Sequence, residues 1–173
     1  QCGIFRDHFG CISFCAGNYA AALYPAMLAA KEGFRQLIWT DAKEHKYIEE
    51  AGTMNVMFVI NNSLITPSSS ETILSGITKR SVVEIAKDWE MKVEERQIEV
   101  KEIIDAFENG TLTEAFGAGT AATIAPIASI SYNDQNYIVP PSDSSHFHVK
   151  AMKYLSAYKT GQEFDKFNWM VTV

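Results

Sequence analysis

An acid pair beside a polar turn is the part of this sequence whose residue types could do chemistry. Glu49 and Glu50 are followed by Ala-Gly-Thr-Met-Asn and then by an apolar run, residues 56–60, with the composition of a buried strand. A carboxylate buried there needs a cationic or N–H partner, because burying it alone is costly. One good partner is the ring nitrogen of a heteroaromatic cofactor, which the carboxylate would keep protonated. The alternative is an exposed acid pair at a turn before an ordinary core strand.

A loop that ends at Gly76 runs into a helix and could bind an anion. The first N–H groups of a helix have no partner inside it, and a glycine lets the backbone approach a ligand closely. The N–H groups of Ile77 and Thr78 are therefore candidates to bind a phosphate. The alternative is an ordinary helix start capped by Ser75 or Thr78. The next two residues, Lys79 and Arg80, add positive charge or simply face solvent.

A second glycine-containing loop is predicted over residues 116–122. Gly117 and Gly119 allow a nest of backbone N–H groups, and Thr120 adds a hydroxyl donor, an arrangement that suits a phosphate or a carboxylate. The segment lacks the six-residue glycine pattern and the lysine of nucleotide-binding loops. The alternative is a strained turn between two strands.

Hydrophobic periodicity predicts the elements that must position these residues. Four helices are predicted, over residues 18–33, 78–89, 100–108 and 143–158. Strands are predicted over residues 36–40, 55–60, 63–66, 92–98, 114–117, 122–130 and 137–139. Asn61 and Asn62 would form a two-residue hairpin turn, and Asp143, Ser144 or Ser145 would cap the last helix. The loose alternation of strands and helices indicates a mixed α/β domain.

The composition of the chain argues against several classes of function. The chain has 173 residues, of which 47% are hydrophobic, and a net charge of −6, as in a globular domain with one core. No basic stripe interleaved with aromatic residues is present, which argues against nucleic acid as a partner. No apolar run approaches the ~18 residues of a membrane span. The sequence has three cysteines, Cys2, Cys11 and Cys15, and no second pair of ligands follows at the spacing of a zinc finger. An odd number of cysteines argues against a disulfide framework, so we expect reduced thiols in a cytoplasmic protein and no metal site.

The order of several short motifs carries a family resemblance. They are Ala16-Gly17-Asn18-Tyr19, Glu50-x-Gly-Thr-Met-Asn, Thr66-Pro67, Ile73-Leu74-x-Gly-Ile-Thr and Phe116-Gly-x-Gly-Thr-Ala. From about Cys15 onward the chain resembles the C-terminal, cofactor-binding domain of branched-chain amino-acid aminotransferases, the fold-type-IV enzymes that use pyridoxal 5′-phosphate (PLP). The resemblance implies a mixed-sheet pseudo-barrel flanked by helices, with residues 15–173 as the PLP-binding domain.

The resemblance implies a role for each matching site residue. Glu50 would pair with the pyridine nitrogen of PLP and keep it protonated, so that the ring serves as an electron sink. Tyr19 would donate its phenol to the O3′ of the ring, with Thr53 beside that region. The backbone N–H groups of Ile77 and Thr78 would hold the phosphate, together with the hydroxyl of Thr120.

The resemblance also implies substrates and partners. Met54 would line an apolar pocket for the side chains of leucine, isoleucine and valine, which burial favours by about 0.8 kcal/mol per methylene. The N–H of Thr120 or Ala121 would face the substrate carboxylate. The amino group would pass between these amino acids and 2-oxo acids such as 2-oxoglutarate, in a homodimer.

Two departures from the family pattern concern the beginning of the chain. The family lysine that binds PLP covalently lies five residues before the tyrosine, and that position is Phe14 here. Phenylalanine can neither attach the cofactor nor move a proton, so the chain is expected to be inactive or nearly so. Residues 1–14 do not resemble the family, and its N-terminal domain has no counterpart in this sequence.

Two other functions remain open on these residues. One is a different fold-type-IV enzyme, a D-amino-acid aminotransferase or an aminodeoxychorismate lyase, although the triplet Thr53-Met54-Asn55 favours the branched-chain group. The other is a non-catalytic module that binds PLP or a phosphate compound, or that is purely structural. The phenylalanine at position 14 favours the non-catalytic module.

Overall fold

Four helices are distributed among the strands in the part of the chain that the computed structural model describes, residues 2–4 and 16–171, with side chains from residue 22. The helices in these residues are α1 (Ala16–Lys31), α2 (Ile77–Asp88), α3 (Val100–Glu108) and α4 (Phe147–Lys159). The strands are β1 (Cys2–Ile4), β2 (Gln36–Thr40), β3 (Ile48–Ala51), β4 (Met54–Ile60), β5 (Ser63–Thr66), β6 (Lys92–Glu95), β7 (Leu112–Gly119), β8 (Thr123–Pro126), β9 (Ser129–Tyr132) and β10 (Gln135–Ile138). None of the described helices has the length and apolar character that crossing a lipid bilayer needs.

Strand β4 is the centre of the sheet. Its one edge pairs with β7 over most of its length, and its other edge pairs first with β3 and then with β5. The sheet continues from β3 in the order β2, β1, β9, β10, and from β5 to β6, while β8 lies beyond β7. The pairs β1–β2, β1–β9 and β5–β6 are parallel, and the other pairs are antiparallel. The mixed α/β class predicted from the sequence is confirmed.

Both faces of β4 are buried, which explains why its sequence is apolar at nearly every position. Val56, Phe58 and Ile60 point into a core that α3 covers, whereas Met57 and Val59 point into a second core that α2 and α4 cover. Successive side chains of a strand point to opposite faces, so a strand between two cores needs apolar residues at odd and even positions alike. Each large side chain buried in this way contributes about 1.5–3 kcal/mol.

Several local predictions are confirmed. Asn61 and Asn62 have φ angles of 49° and 59°, and they connect β4 to β5 as a tight turn. This left-handed conformation is one that asparagine tolerates and that two-residue hairpins require. Helix α3 has the predicted bounds, Val100–Glu108.

The start of the last helix differs from the prediction. Helix α4 begins at Phe147, and none of Asp143, Ser144 and Ser145 caps it. The cap comes instead from β7, where the Glu114 carboxylate accepts the N–H groups of Phe147 at 2.7 Å and of His148 at 2.9 Å. A carboxylate supplied by the sheet is invisible to a local pattern, because the two segments are more than thirty residues apart.

Several strand boundaries depend on pairing with strands that are distant in the sequence, and the sequence analysis did not predict them. The sequence of β3, Ile-Glu-Glu-Ala, has no strand period, and pairing with β2 and β4 makes it a strand. The predicted strand 92–98 ends at Glu95, which pairs with Thr66, the last residue of β5. The predicted strand 122–130 is two strands, β8 and β9, because Pro126 has no N–H to continue the ladder and Ile127 donates to the Ala115 carbonyl instead.

Candidate functional site

Glu50 lies in β3, directly opposite Asn55 of β4, and its carboxylate points toward the loop that precedes α2. Its Oε1 accepts the backbone N–H of Leu74 at 3.0 Å and the amide Nδ2 of Asn55 at 3.2 Å. No group among the described residues donates to its Oε2. Burial raises the pKa of Glu50 to about 7, an effect that the Leu74 N–H opposes and neighbouring Glu49 reinforces. A carboxylate in this state gains from a cationic partner at Oε2.

Asn55 joins the elements of the site, a role that the sequence analysis did not assign. Its side chain is buried, and its Nδ2 donates both to Glu50 and to the Leu74 carbonyl, the latter at 2.8 Å. In the sheet it pairs with Glu50 on one side and with Ala118 of β7 on the other. A polar residue at the start of an otherwise apolar strand is the sequence signal that could have indicated this role.

The beginning of α2 is open to a ligand. Gly76 is the residue before the first turn, and no side chain of the described residues caps the helix, so the alternative of a cap by Ser75 or Thr78 is wrong. A Cβ on Gly76 would lie 2.2 Å from Oδ1 of Asn55, which explains why glycine occupies this position. The first backbone N–H groups, those of Ile77 and Thr78 among them, keep the partial positive charge of a helix start.

The predicted nest of N–H groups around Gly117 and Gly119 is wrong. Both glycines lie within β7, neither has a positive φ, and the strand pairs with β8 up to Gly119. Their lack of a side chain serves packing instead. A Cβ on Gly117 would lie 2.8 Å from Cε of Met54, and one on Gly119 would lie 2.9 Å from its Cγ. The Met54 side chain therefore covers β7 at both glycines.

Three of the remaining predicted site residues lie at one end of the sheet. Thr53 lies in the turn between β3 and β4, and Thr120 and Ala121 lie in the turn between β7 and β8. Because β4 pairs with both β3 and β7, these two exposed turns are neighbours. Tyr19 lies within α1. Phe14 lies outside the described residues.

Lys79 does not face solvent, contrary to one alternative of the sequence analysis. It lies in the first turn of α2 with 1% of its surface exposed, and its Nζ donates to the Pro67 carbonyl at 2.6 Å. It is also within 3.4 Å of the Glu95 carboxylate. Burial lowers its pKa, and the charges of Glu95 and Glu50 oppose that effect. No local pattern distinguishes this lysine from Lys87, the exposed lysine of the same helix.

Three features thus meet around the first residues of β4. They are a half-buried carboxylate with an available oxygen, a helix start without a side-chain cap, and two adjacent turns that contain the exposed residues Thr53 and Thr120. Leu74 and Asn55 connect the first two by hydrogen bonds. The arrangement suits a ligand with a basic ring nitrogen at one end and a phosphate at the other.

Comparison with known proteins identifies relatives by sequence. A family model described as amino-transferase class IV matches residues 14–130. Branched-chain-amino-acid aminotransferase 2 of Bacillus subtilis is 39% identical over 158 residues, which are 91% of this chain and 44% of that protein. The chain therefore spans less than half the length of the curated relatives it matches.

Comparison of structures identifies the fold. The branched-chain amino acid aminotransferase of Thermobaculum terrenum in its PLP-form has a TM-score of 0.82 at 22% identity, covering 99% of this chain and 54% of that chain. The branched-chain aminotransferase of the archaeon Thermoproteus uzoniensis with norvaline has a TM-score of 0.81 at 22% identity, covering 99% of this chain and 55% of that chain. The fold expected from the motifs is confirmed.

Proposed function

Because this chain belongs to the class IV amino-transferases, we propose that it is the PLP-binding part of a branched-chain-amino-acid aminotransferase. The observation that carries the proposal is the direct link between Glu50 and the start of α2. The carboxylate accepts one hydrogen bond from Leu74 N–H and one from the Asn55 amide, and the same amide also donates to the Leu74 carbonyl in the loop that leads to Gly76. A phosphorylated pyridine needs these two recognition groups at a constant separation.

The residues present fit PLP at both of its polar ends. Oε2 of Glu50 would accept the protonated ring nitrogen, and the raised pKa of this carboxylate means that its ionised form would gain from such a partner. The N–H groups of Ile77 and Thr78 would hold the phosphate, with Thr120 as an additional hydroxyl donor. When bound, PLP supplies the conjugated ring that carries the amino group between amino acids and 2-oxo acids.

The substrate would lie beside the two turns at the end of the sheet. The Thr120 or Ala121 N–H would face its carboxylate, Thr53 would lie beside the ring, and Met54 would contact its aliphatic side chain. The name of the Bacillus subtilis relative supports branched-chain amino acids as the substrate class. We place Tyr19 at the O3′ of the ring, and the protein as a homodimer in the cytoplasm, on the family resemblance.

Phe14 determines what this chain can do with the cofactor. It stands where the family has its covalent lysine, so we propose that the chain binds PLP without a covalent bond and transfers amino groups very slowly or not at all. The same residue favours a non-catalytic PLP-binding module as the second candidate function. Both candidates share the binding site and differ in the chemistry.

Binding is tested first, with pyridoxamine 5′-phosphate, because this form of the cofactor has no aldehyde to react with surface lysines. Calorimetric titration of the 173-residue chain should give saturable binding to one site. Glu50→Ala should weaken it at least tenfold, since a hydrogen bond to a charged group contributes about 1.5–3 kcal/mol. Glu84→Ala, on the exposed part of α2, is the matched control. A chain that binds no pyridoxamine 5′-phosphate would contradict the proposal.

The chemistry is tested with Phe14→Lys. This variant should form a covalent adduct with PLP that borohydride reduction fixes at residue 14, whereas the parent chain should form none there. Peptide mapping by mass spectrometry locates the adduct. Transfer of the leucine amino group to 2-oxoglutarate by the variant would favour the aminotransferase, and a covalent adduct without any transfer would favour the non-catalytic module.

A further inference from the structure

Lys79 carries a buried charge that the proposed cofactor contacts do not use. It is the only lysine among the buried side chains of the described residues. Its ammonium nitrogen donates to the Pro67 carbonyl at 2.6 Å, lies 3.4 Å from the Ser69 hydroxyl and lies 3.4 Å from the Glu95 carboxylate. An ammonium group is costly to bury and is retained where its hydrogen bonds and charge have a role.

Two of the three contacts of Lys79 lie at one end of the segment 67–76, the loop between β5 and α2. Pro67 and Ser69 begin this segment, and its other end is tied to Asn55 and Glu50 through Leu74. The segment has no regular secondary structure of its own. Hydrogen bonds at both ends therefore determine where Gly76 and the start of α2 lie relative to β4.

Lys79 also brings a buried positive charge to the first turn of α2. It is the third residue of the helix, so its charged side chain and the uncapped N–H groups of Ile77 and Thr78 belong to the same turn. Burial shields this charge from water, so its field at the helix start is screened less than that of an exposed lysine. Glu95, its ion-pair partner, is 42% exposed and neutralises the charge only in part.

We propose that Lys79 is a positioning residue of the phosphate site, which fixes the segment 67–76 and adds a buried positive charge to the start of α2. The proposal rests on the proposed function, because it strengthens binding at the same site. The ligand class is a phosphate monoester in its dianionic form. Lys79 does not touch the ligand; it acts through the segment and through its field.

Three variants separate this role from a purely structural one. Lys79→Met keeps the length of the side chain and removes the charge and the hydrogen bonds. Glu95→Gln keeps an acceptor and removes the negative charge, so it leaves the Lys79 charge less neutralised. Lys87→Met removes an exposed lysine that pairs with Glu84 on the same helix and is the matched control.

Binding of pyridoxamine 5′-phosphate is measured by calorimetry at pH 7, with inorganic phosphate as the competitor. Lys79→Met should weaken the binding of both compounds by the same factor, about five- to tenfold. Glu95→Gln should bind both at least as tightly as the parent chain, and Lys87→Met should not differ from it. Unchanged binding in Lys79→Met, or an equal loss in Lys79→Met and Glu95→Gln, would overturn the proposal.

Two readouts without any ligand keep this inference separate from the proposed function. In Lys79→Met the amide of Leu74 should exchange with solvent at least tenfold faster, and the pKa of Glu50, measured by NMR, should rise because a nearby positive charge is lost. If the parent chain binds no pyridoxamine 5′-phosphate, the proposed function fails, and these two measurements still decide whether Lys79 positions the segment. An unchanged exchange rate and pKa would overturn the inference.

Discussion

Replacement of Glu50 by glutamine should change how the stability of the cofactor-free protein depends on pH. Oε1 of Glu50 accepts both of its hydrogen bonds, from Leu74 N–H and Asn55 Nδ2, and a glutamine carbonyl can accept the same two. The substitution therefore removes the ionisable charge and leaves the hydrogen bonds in place. Any difference in unfolding free energy between the variant and the parent chain therefore measures the cost of burying the charge of Glu50.

The size of this cost follows from the pKa. Burial raises the pKa of Glu50 from an ordinary 4.5 to about 7 in the folded chain. Between these values the folded state holds the proton more tightly than the unfolded state, so the free energy of unfolding falls as pH rises. The full difference corresponds to about 3 kcal/mol above pH 7, since one pKa unit is about 1.4 kcal/mol. Below pH 4.5 Glu50 is protonated in both the folded and the unfolded state, so this destabilising contribution disappears.

Urea unfolding at a series of pH values from 4.5 to 8, followed by tryptophan fluorescence, measures this dependence. The difference in unfolding free energy between Glu50→Gln and the parent chain should grow from near zero at the lowest pH to about 3 kcal/mol at pH 8, with the variant more stable. Glu84→Gln, an exposed carboxylate on α2, should show no such growth. A constant difference across the series would refute the reasoning.

The same substitution should have the opposite effect on ligand binding. The protonated ring nitrogen of pyridoxamine 5′-phosphate would pair with ionised Glu50, and a neutral glutamine offers no charge to it. At pH 8 we expect Glu50→Gln to weaken binding by roughly ten- to a hundredfold, the value of a charge-assisted hydrogen bond. If Glu50→Gln makes the ligand-free protein more stable and also weakens ligand binding, the role of Glu50 is in binding and not in stability.

Three further predictions concern residues around the site and in the core. Gly76→Ala should lower the free energy of unfolding by about 1–3 kcal/mol and weaken the binding of pyridoxamine 5′-phosphate, because the new Cβ would lie 2.2 Å from Asn55 Oδ1. Urea unfolding measures the stability and calorimetry measures the affinity. An unchanged affinity would argue against a ligand at the start of α2. Glu114→Gln should speed amide exchange in the first turn of α4 and lower the free energy of unfolding by about 1–2 kcal/mol, since this carboxylate caps the helix. Unaltered exchange would show that the cap is dispensable. Phe58→Ala, at a fully buried position, should cost about 3–5 kcal/mol, with affinity unchanged in the protein that remains folded; a loss below about 1 kcal/mol would contradict the two-core arrangement.

Most of the secondary structure could be predicted from local pattern. The apolar run of β4, the two-asparagine turn after it and the amphipathic helix α3 are determined by neighbours in the sequence, and their bounds match the structure closely. The errors lie where partners distant in sequence decide the outcome. Strand β3 exists because two other strands flank it, and α4 begins where Glu114 of β7 can cap it.

The candidate site divides in the same way. Motif order was enough to indicate the family. The ligand contacts assigned to Glu50 and Ile77 stay predictions, and the structure adds that the loop ending at Gly76 is hydrogen-bonded to Glu50 through Leu74. The role of the two glycines in β7 was assigned wrongly, because a glycine that makes room for Met54 and a glycine that forms a nest look identical in sequence.

By itself, the sequence determined the central strand, its hairpin, the helices and the order of the family motifs, because these depend on the propensity and periodicity of adjacent residues. Only the tertiary structure decided that Asn55 links Glu50 to Leu74 and that Lys79, in the first turn of α2, is buried. Whether a polar side chain is buried, and which group satisfies it, depends on segments that are distant in the chain and adjacent in space.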